Sequence, residues 1–200
     1  MASLQDIKRR IKSVKNTEQI TKAMEAVSAT KMRRSQGVAF RARPFSYAAL
    51  EVLGNVSSGN LSEHIFLKEK EEKKIVLVSI TSDKGLCGSL NAVLLKKIVG
   101  FLKDKQDEDK EVSVISVGKY GANFLRKRNF EVLEEFRGIG DIAGLPDSSS
   151  VSDFIINGFH SEKYNSVYVA YTRFVSTLKQ SPTIIKILPL SGDVLKSVLE

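Results

Sequence analysis

The sequence predicts an α/β protein in which a long, coiled-coil-type N-terminal helix precedes a domain built on a mainly parallel sheet. Apolar residues near the N-terminus recur at three- and four-residue steps, and neither Gly nor Pro occurs before Gly37. From residue 74 onward, short apolar runs typical of buried strands alternate with helical periodicity. The net charge differs between the same two regions. Residues 1–43 hold eleven basic and three acidic side chains, whereas the basic and acidic side chains of the other 157 residues are equal in number.

We therefore expect four segments along the chain. Residues 1–56 form the long basic helix, residues 57–73 a linker, residues 74–190 the α/β domain, and residues 191–200 the start of another helix. A helix of some 35 residues or more extends roughly 50 Å. Since an isolated helix is only marginally stable in water, its apolar stripe needs a partner.

The N-terminal helix carries a stripe that changes direction. Ser3 caps its start, with Asp6 three residues on as a shortened capping box. A first apolar stripe is followed by a second on a rotated face, interleaved with alanines (Leu4, Ile7, Ile11 and Val14, then Ile20, Met24 and Val27). A drifting seam with small residues suits close packing against a neighbour that changes along the helix.

The segment after the N-terminal helix is less regular. Pro44 either kinks the helix or opens a new one. Residues 54–60 are rich in Gly, Asn and Ser, which predicts a break. The charge run at residues 68–74 is most simply a solvated lead-in to a strand.

The α/β domain is predicted from alternating patterns. The strands are expected at residues 75–80, 112–117 and 167–174, with a fourth at 183–188. The helices are expected at residues 89–102, 118–128 and 151–159, the last capped from residues 147–150. Repeated strand–helix units predict a Rossmann-like, doubly wound and mainly parallel sheet.

The charge of the N-terminal helix has several possible meanings. Its basic residues could bind nucleic acid phosphates, anionic lipid or an acidic protein sleeve, or form a solvated face. The first aromatic residue is Phe40, so the helix offers bases no stacking platform and lacks the usual membrane-surface anchors. Charge alone leaves nucleic acid and a protein sleeve equally open.

Composition excludes several classes of protein. One cysteine, Cys87, rules out an internal disulfide and a Cys-based zinc site. The two histidines, His64 and His160, fall in different segments and are expected at the surface. The apolar runs are too short to span a bilayer, and the N-terminus lacks the apolar core of a secretory signal.

One loop of the domain combines glycines, a lysine and a cysteine. We call residues 83–88 the motif loop: Asp83, Lys84, Gly85, Leu86, Cys87 and Gly88. Its position after a strand and before a helix suits an anion, but it matches neither phosphate-binding glycine motif. Tight strand-to-helix turns explain the glycines, and Cys87 has no histidine near it in sequence to act as a base. The chain does not read as an enzyme, and we expect no cofactor and no metal. A small-molecule-binding α/β enzyme remains an alternative.

Long strings of residues resemble the γ subunit of F-type ATP synthases. The strings are residues 7–17 (IKRRIKSVKNT), 19–24 (QITKAM), 31–36 (KMRRSQ) and 43–45 (RPF). Residues 82–91 (SDKGLCGSLN) are similar to an internal loop of that family, in which arginine and a further glycine are common at Lys84 and Ser89. Residues 174–176, Pro182 and residues 188–190 continue the resemblance, which runs from Ala2 to about Leu190.

The resemblance implies a rotor, the central stalk that couples ion flow through the membrane sector to ATP synthesis or hydrolysis. In that family the N-terminal helix pairs with a C-terminal helix and turns inside a ring of α and β subunits, which perform the chemistry. The implied partners are that ring, the ε subunit and the c-ring, and residues 191–200 would begin a truncated C-terminal helix. Nucleic acid is not an implied partner, although a basic-helix nucleic-acid-binding module remains an alternative.

The resemblance also implies contact residues and a location. Met24 matches the family methionine near the acidic lever segments of β, and the basic residues Lys8, Arg9, Lys31, Arg33 and Arg34 are further expected contacts with the ring. Membrane association would occur only through the complex. The implied location is peripheral on the cytoplasmic side of a bacterial membrane, or on the matrix side of the mitochondrial inner membrane if the chain is organellar.

Overall fold

The computed structural model of the chain describes residues 3–57, 64–68, 70–140 and 144–190. The chain divides into two compact units between Ser46 and Tyr47. The elements in chain order are α1 (Leu4–Ser57), β1 (Lys74–Ile80), α2 (Leu90–Asp107), β2 (Glu111–Val117), α3 (Lys119–Arg126), β3 (Val132–Phe136), α4 (Leu145–His160), β4 (Ser166–Phe174) and β5 (Gln180–Leu188).

Helix α1 is one continuous helix of 54 residues. Its predicted cap is confirmed, since the Asp6 N–H donates to Ser3 Oγ at 3.3 Å and the Ser3 N–H donates to Asp6 Oδ2 at 3.3 Å. Pro44 lies inside the helix and starts no new element. The break predicted from residue 54 is wrong as far as Ser57, because a helical glycine costs only about 1 kcal/mol relative to alanine. Residues 58–60 of that predicted break lie outside the described residues.

The sheet has the doubly wound order β3-β2-β1-β4-β5. Strands β1 to β4 pair in parallel, and β5 pairs antiparallel with β4 through a short turn in which Val175 donates to the Lys179 carbonyl at 3.2 Å. The predicted mainly parallel α/β class is therefore confirmed. Strand β3 was not predicted, because the adjacent Glu134 and Glu135 interrupt the apolar alternation that marks a strand.

Two apolar cores cover the two faces of the sheet. On one face, Leu77 and Val114 pack against the apolar side of α2, whose buried residues include Leu95 and Ile98. On the other face, Val76, Val78 and Ile115 pack with Ile155 and Phe159 of α4, while Tyr164 completes this core. Burial of alternate residues on both faces explains why the central strands read as continuous apolar runs.

Helix α4 begins earlier than the sequence analysis placed it. The prediction of residues 151–159 with caps from 147–150 is wrong, because the helix starts at Leu145 with Pro146 in its first turn. Asp147 lies inside that turn and accepts the Gly144 N–H at 2.9 Å. Proline is favoured at the first helical positions, where its missing N–H costs nothing.

The charge run before β1 is not a simple solvated lead-in. The side chain of Glu72 is only 16% exposed and accepts the Tyr168 hydroxyl at 2.8 Å and the Lys186 ammonium at 3.0 Å. Lys105 and Lys110 approach its other oxygen at 3.6 and 3.5 Å. Partial burial opposes ionisation, but the hydrogen bonds from Tyr168 and Lys186 outweigh it and lower the pKa of Glu72 to about 2. Glu72 thus joins α2, β4 and β5 at the amino end of β1.

Candidate functional site

Helix α1 carries all six predicted contact residues, and all six are exposed (Lys8, Arg9, Met24, Lys31, Arg33 and Arg34). At 3.6 residues per turn they fall into three rows rather than one patch. Met24 and Lys31 lie on one face two turns apart, whereas Arg33 and Arg34 point about 100° apart. These six side chains span about half of the helix circumference, and the exposed residues Arg10 and Arg43 extend the charge to the other half.

Apolar side chains on α1 are also exposed. Met24 is 45% exposed, and the two predicted stripes stay open along their length (Leu4, Ile7, Ile11, Val14, Ile20 and Val27). Short-range contacts on this helix include Lys22 to Glu18 at 2.8 Å and Arg43 over the Phe40 ring at 4.9 Å. A soluble surface seldom leaves such a row of large apolar residues uncovered unless another chain packs on it.

The motif loop forms a compact turn at the carboxyl end of β1. The Asn91 side chain closes it, accepting the Ser82 N–H at 3.2 Å and donating to Ser82 Oγ at 2.6 Å and to Cys87 Sγ at 3.3 Å. Gly88 has a φ of 59°, which permits the tight turn expected of this glycine. Leu86 has a φ of 64° and is 92% exposed, so the loop holds an apolar side chain in solvent.

A shallow cavity of about 310 Å³ lies beside the motif loop. It is lined by Cys87, Gly88 and Leu90 on one side and by Thr172, Gln180 and Pro182 of the β4–β5 hairpin on the other, together with Ser89 and Val93. The position agrees with the usual site of ligands in open α/β sheets, beyond the carboxyl ends of the strands. However, the side-chain groups that contact Cys87 Sγ are the Asn91 amide and the Ser82 hydroxyl, and neither is a base that could activate a nucleophile.

Within the described part of the chain, no group of three His, Cys, Asp or Glu side chains is arranged to hold a metal ion. Over the same residues, no helix has the length and apolar character needed to cross a membrane.

The fold of this chain is shared by solved structures. A long helix joined to this sheet recurs in a chain of the central stalk/c-ring of the Tetrahymena thermophila mitochondrial ATP synthase, with a TM-score of 0.67 at 23% identity over 85% of this chain and 72% of that one. It recurs also in the rotor of the Euglena gracilis mitochondrial ATP synthase, with a TM-score of 0.59 at 17% identity, over 96% of this chain and 64% of that one. At these identities the likenesses show a shared fold.

Sequence comparison then gives the family. Residues 3–198 match the family model described as ATP synthase. The chain is 38% identical to the ATP synthase gamma chain of Pelotomaculum thermopropionicum, over 94% of this chain and 66% of that protein. It is 37% identical to the gamma chain of Dechloromonas aromatica, over 98% of this chain and 69% of that protein. This chain belongs to the ATP synthase gamma chain family, and it spans about two thirds of the length of these relatives.

Two features at this edge of the sheet were missed by the sequence analysis. Leu178, at the tip of the β4–β5 turn, is 98% exposed, and a lone leucine in a polar turn gives no sequence signal of its own. Asn91 was part of the family string, but its role in closing the motif loop depends on contacts that a pattern does not contain. Both features lie at the carboxyl edge of the sheet, one in the turn after β4 and the other at the start of α2.

Proposed function

We propose that this chain is the central-stalk rotor subunit of an F-type ATP synthase, coupling ion flow through the membrane sector to ATP synthesis or hydrolysis by rotation. The observation that carries the proposal is the combination on α1 of charge around the helix with large exposed apolar side chains, in a chain of the gamma family. A rotor must present a surface that meets successive neighbours as it turns.

In this role the chain is non-catalytic and its partners are other subunits. The α and β subunits form the ring around α1 and perform the chemistry, while the ε subunit and the c-ring bind the α/β domain. The chain then reaches the membrane only through the complex, as a peripheral component. Its cytoplasmic placement in a bacterium, or matrix placement in a mitochondrion, is part of the same proposal.

The proposed contacts with the ring lie on α1. Met24 is half-exposed in the second apolar stripe, where it can pack on a neighbouring helix. Lys31, Arg33 and Arg34 follow within the next three turns, and Lys8 and Arg9 lie nearer the N-terminus. Basic side chains in three rows suit acidic segments that approach from several directions.

Reconstitution from purified components tests the proposal. The chain is mixed with the α and β subunits of its source cell, and the complex is isolated by size-exclusion chromatography and assayed for ATP hydrolysis. We expect the chain to elute with α and β. Replacement of Lys31, Arg33 and Arg34 by Glu should weaken this binding about tenfold or more, because close charge pairs at interfaces are worth over 1 kcal/mol.

The matched control reverses the same number of charges on the α/β domain. Lys96, Lys103 and Lys127 are exposed residues of that domain, and their replacement by Glu should leave binding to α and β near the native value. Elution of the chain apart from α and β would contradict the rotor function. Retention of nucleic acid in place of those subunits would favour the nucleic-acid-binding alternative.

A further inference from the structure

The segment between α1 and β1 is attached along the amino edge of the sheet. We call residues 64–68 and 70–73 the strap, which follows α1 in the chain and leads directly into β1. A linker that moves freely has few contacts with the domain that it enters. The strap instead contacts α2, α4, β4 and β5, and it is therefore packed as part of the domain.

The first part of the strap packs on α4. The centroid of the Phe66 ring lies 5.7 Å from that of the Phe159 ring, and Ile65 and Phe66 pack against the apolar core on that face of the sheet. The Leu190 N–H, just after β5, donates to the Phe66 carbonyl at 2.7 Å. The segment that enters the domain is thus bonded to the segment that follows its last strand.

The second part of the strap is held by one amide side chain. Asn165 lies directly before β4. Its Oδ1 accepts the Lys73 N–H at 3.3 Å and the Lys74 N–H at 3.1 Å, and its Nδ2 donates to the Glu71 carbonyl at 2.6 Å. An amide suits this position because it supplies both an acceptor and a donor. Loss of the side chain would remove all three of these bonds at once.

Glu72 provides the charged attachment of the strap. Its side chain is only 16% exposed and is hydrogen-bonded to β4 and β5, and hydrogen bonds to an ionised group are among the stronger ones in proteins. By contrast, the side chains of the Lys70 to Glu162 ion pair are 38% and 69% exposed, and ion pairs in water contribute little. The side-chain attachment of the strap therefore depends mainly on Glu72 and Asn165.

We propose that the strap is a mechanical anchor, which carries load between α1 and the α/β domain. This inference rests on the proposed function for the origin of the load, since a rotor subunit is loaded as it turns. Tension on the chain from α1 enters the domain at the strap. Glu72 and Asn165 pass this tension to β4 and β5, so that it does not fall on the first residues of β1 alone.

Pulling on single molecules of the full chain tests the anchor. One handle is attached to the N-terminus and the other to the cysteine of Lys127→Cys, in a chain that also carries Cys87→Ser. With the native strap, the domain should open without an earlier step from the strap. In Asn165→Ala and in Glu72→Gln, a separate lengthening of about 35 Å should come first, because the ten residues 64–73 extend by about 3.5 Å each.

Leu125→Ala is the matched control for these two variants. Leu125 is fully buried in α3, so its loss weakens the domain without removing a bond of the strap. This variant should open at lower force but without the step of about 35 Å. Such a step in the native chain or in the control, or its absence from both strap variants, would overturn the proposal. Asn165→Ala removes no charge, and it carries the test alone if Glu72→Gln does not fold.

Ion uptake by membrane vesicles of the source cell tests the anchor within the complex. Vesicles that contain the native chain, Asn165→Ala or Leu125→Ala are supplied with ATP, and uptake is measured together with ATP hydrolysis. Asn165→Ala should lower the number of ions taken up per ATP hydrolysed, whereas Leu125→Ala should leave this ratio at the native value. A native ratio in Asn165→Ala would overturn the load-bearing role. Failure of the native chain to support any uptake would instead reject the proposed function, which the pulling experiment does not depend on.

Discussion

Helix α1 and the α/β domain use their apolar residues in opposite ways. In the domain, most apolar residues of β1, α2 and β2 are buried on the two faces of one sheet, and residues 44–200 carry balanced charge. In α1 the large apolar residues are mostly about half or more exposed, and residues 1–43 carry the whole net charge of +8. The comparison teaches that the domain covers most of its apolar residues with its own sheet and helices, whereas those of α1 stay exposed and are assigned to partner subunits only by the proposed function.

The largest expected difference between the two regions comes from one substitution made in each. Ile98 is fully buried in α2, whereas Ile11 is 52% exposed on α1. Ile98→Ala should lower the free energy of unfolding of the domain by about 2–5 kcal/mol, and Ile11→Ala should change it by less than about 0.5 kcal/mol. Both residues are helical, so intrinsic helix propensity cancels. Urea unfolding followed by circular dichroism measures both, and a similar loss from both variants would remove the contrast.

Replacing one glycine in each region by alanine should change stability in opposite directions. A Cβ on Gly118, whose φ is 97°, would lie 2.1 Å from the Thr81 carbonyl oxygen, whereas a Cβ on Gly37 of α1 meets nothing within 4 Å. Gly118→Ala should therefore destabilise the domain by about 2 kcal/mol or more. Gly37→Ala should increase the helix content, because alanine is favoured over glycine inside a helix by up to about 1 kcal/mol. Thermal unfolding and the ellipticity at 222 nm distinguish the two outcomes, and destabilisation by both would contradict the open surface of α1.

The acid sensitivity of the chain should reside in the domain. The pKa of Glu72 is lowered from 4.5 to about 2. Its contribution to the free energy of unfolding is therefore fully present above pH 4.5 and is lost as the pH falls toward 2. After allowance for solvent screening, we expect Glu72→Gln to cost about 2 kcal/mol at pH 7 and progressively less below pH 4.5.

A second glutamate provides the control for this pH dependence. Glu111 is 78% exposed and lies 3.9 Å from Lys74. Glu111→Gln should change stability by less than about 0.5 kcal/mol at any pH. Urea titrations between pH 2.5 and 7 compare the two variants, and a pH-independent loss in Glu72→Gln would show that the ionised carboxylate is not what stabilises the domain.

The elements predicted correctly from sequence are those whose patterns are local. The apolar spacing in α2 and the continuous apolar run of β1 each reflect burial by the sheet, so the pattern and the structure agree. Strand β3 was missed because Glu134 and Glu135 mask it, although the Glu135 side chain is only 7% exposed and pairs with Arg126 and Arg137. The two arginines pair with the Glu135 carboxylate and lower its pKa to about 2, and an apolar–polar pattern does not show such ion pairs.

The site was predicted less completely than the fold, because its contacts join residues that are far apart in sequence. The motif loop was located by its glycines and by resemblance, but the bonds from Asp83 to Lys119 and Gly138 join positions 36 and 55 residues away in sequence. The contacts proposed for Met24 and Lys31 depend on another chain, so their roles stay predictions. What the sequence of α1 does contain is the exposed apolar and basic surface itself.

Hydrogen exchange of the 200-residue chain, alone and with purified α and β subunits, tests the central claim most directly. Alone, residues 5–35 should exchange rapidly while β1 and β2 remain protected, because a partnerless helix is held only by its own hydrogen bonds. With α and β present, protection should rise in residues 5–35 and change little in β1 and β2. Strong protection of residues 5–35 in the monomer, or no gain on mixing, would contradict the account.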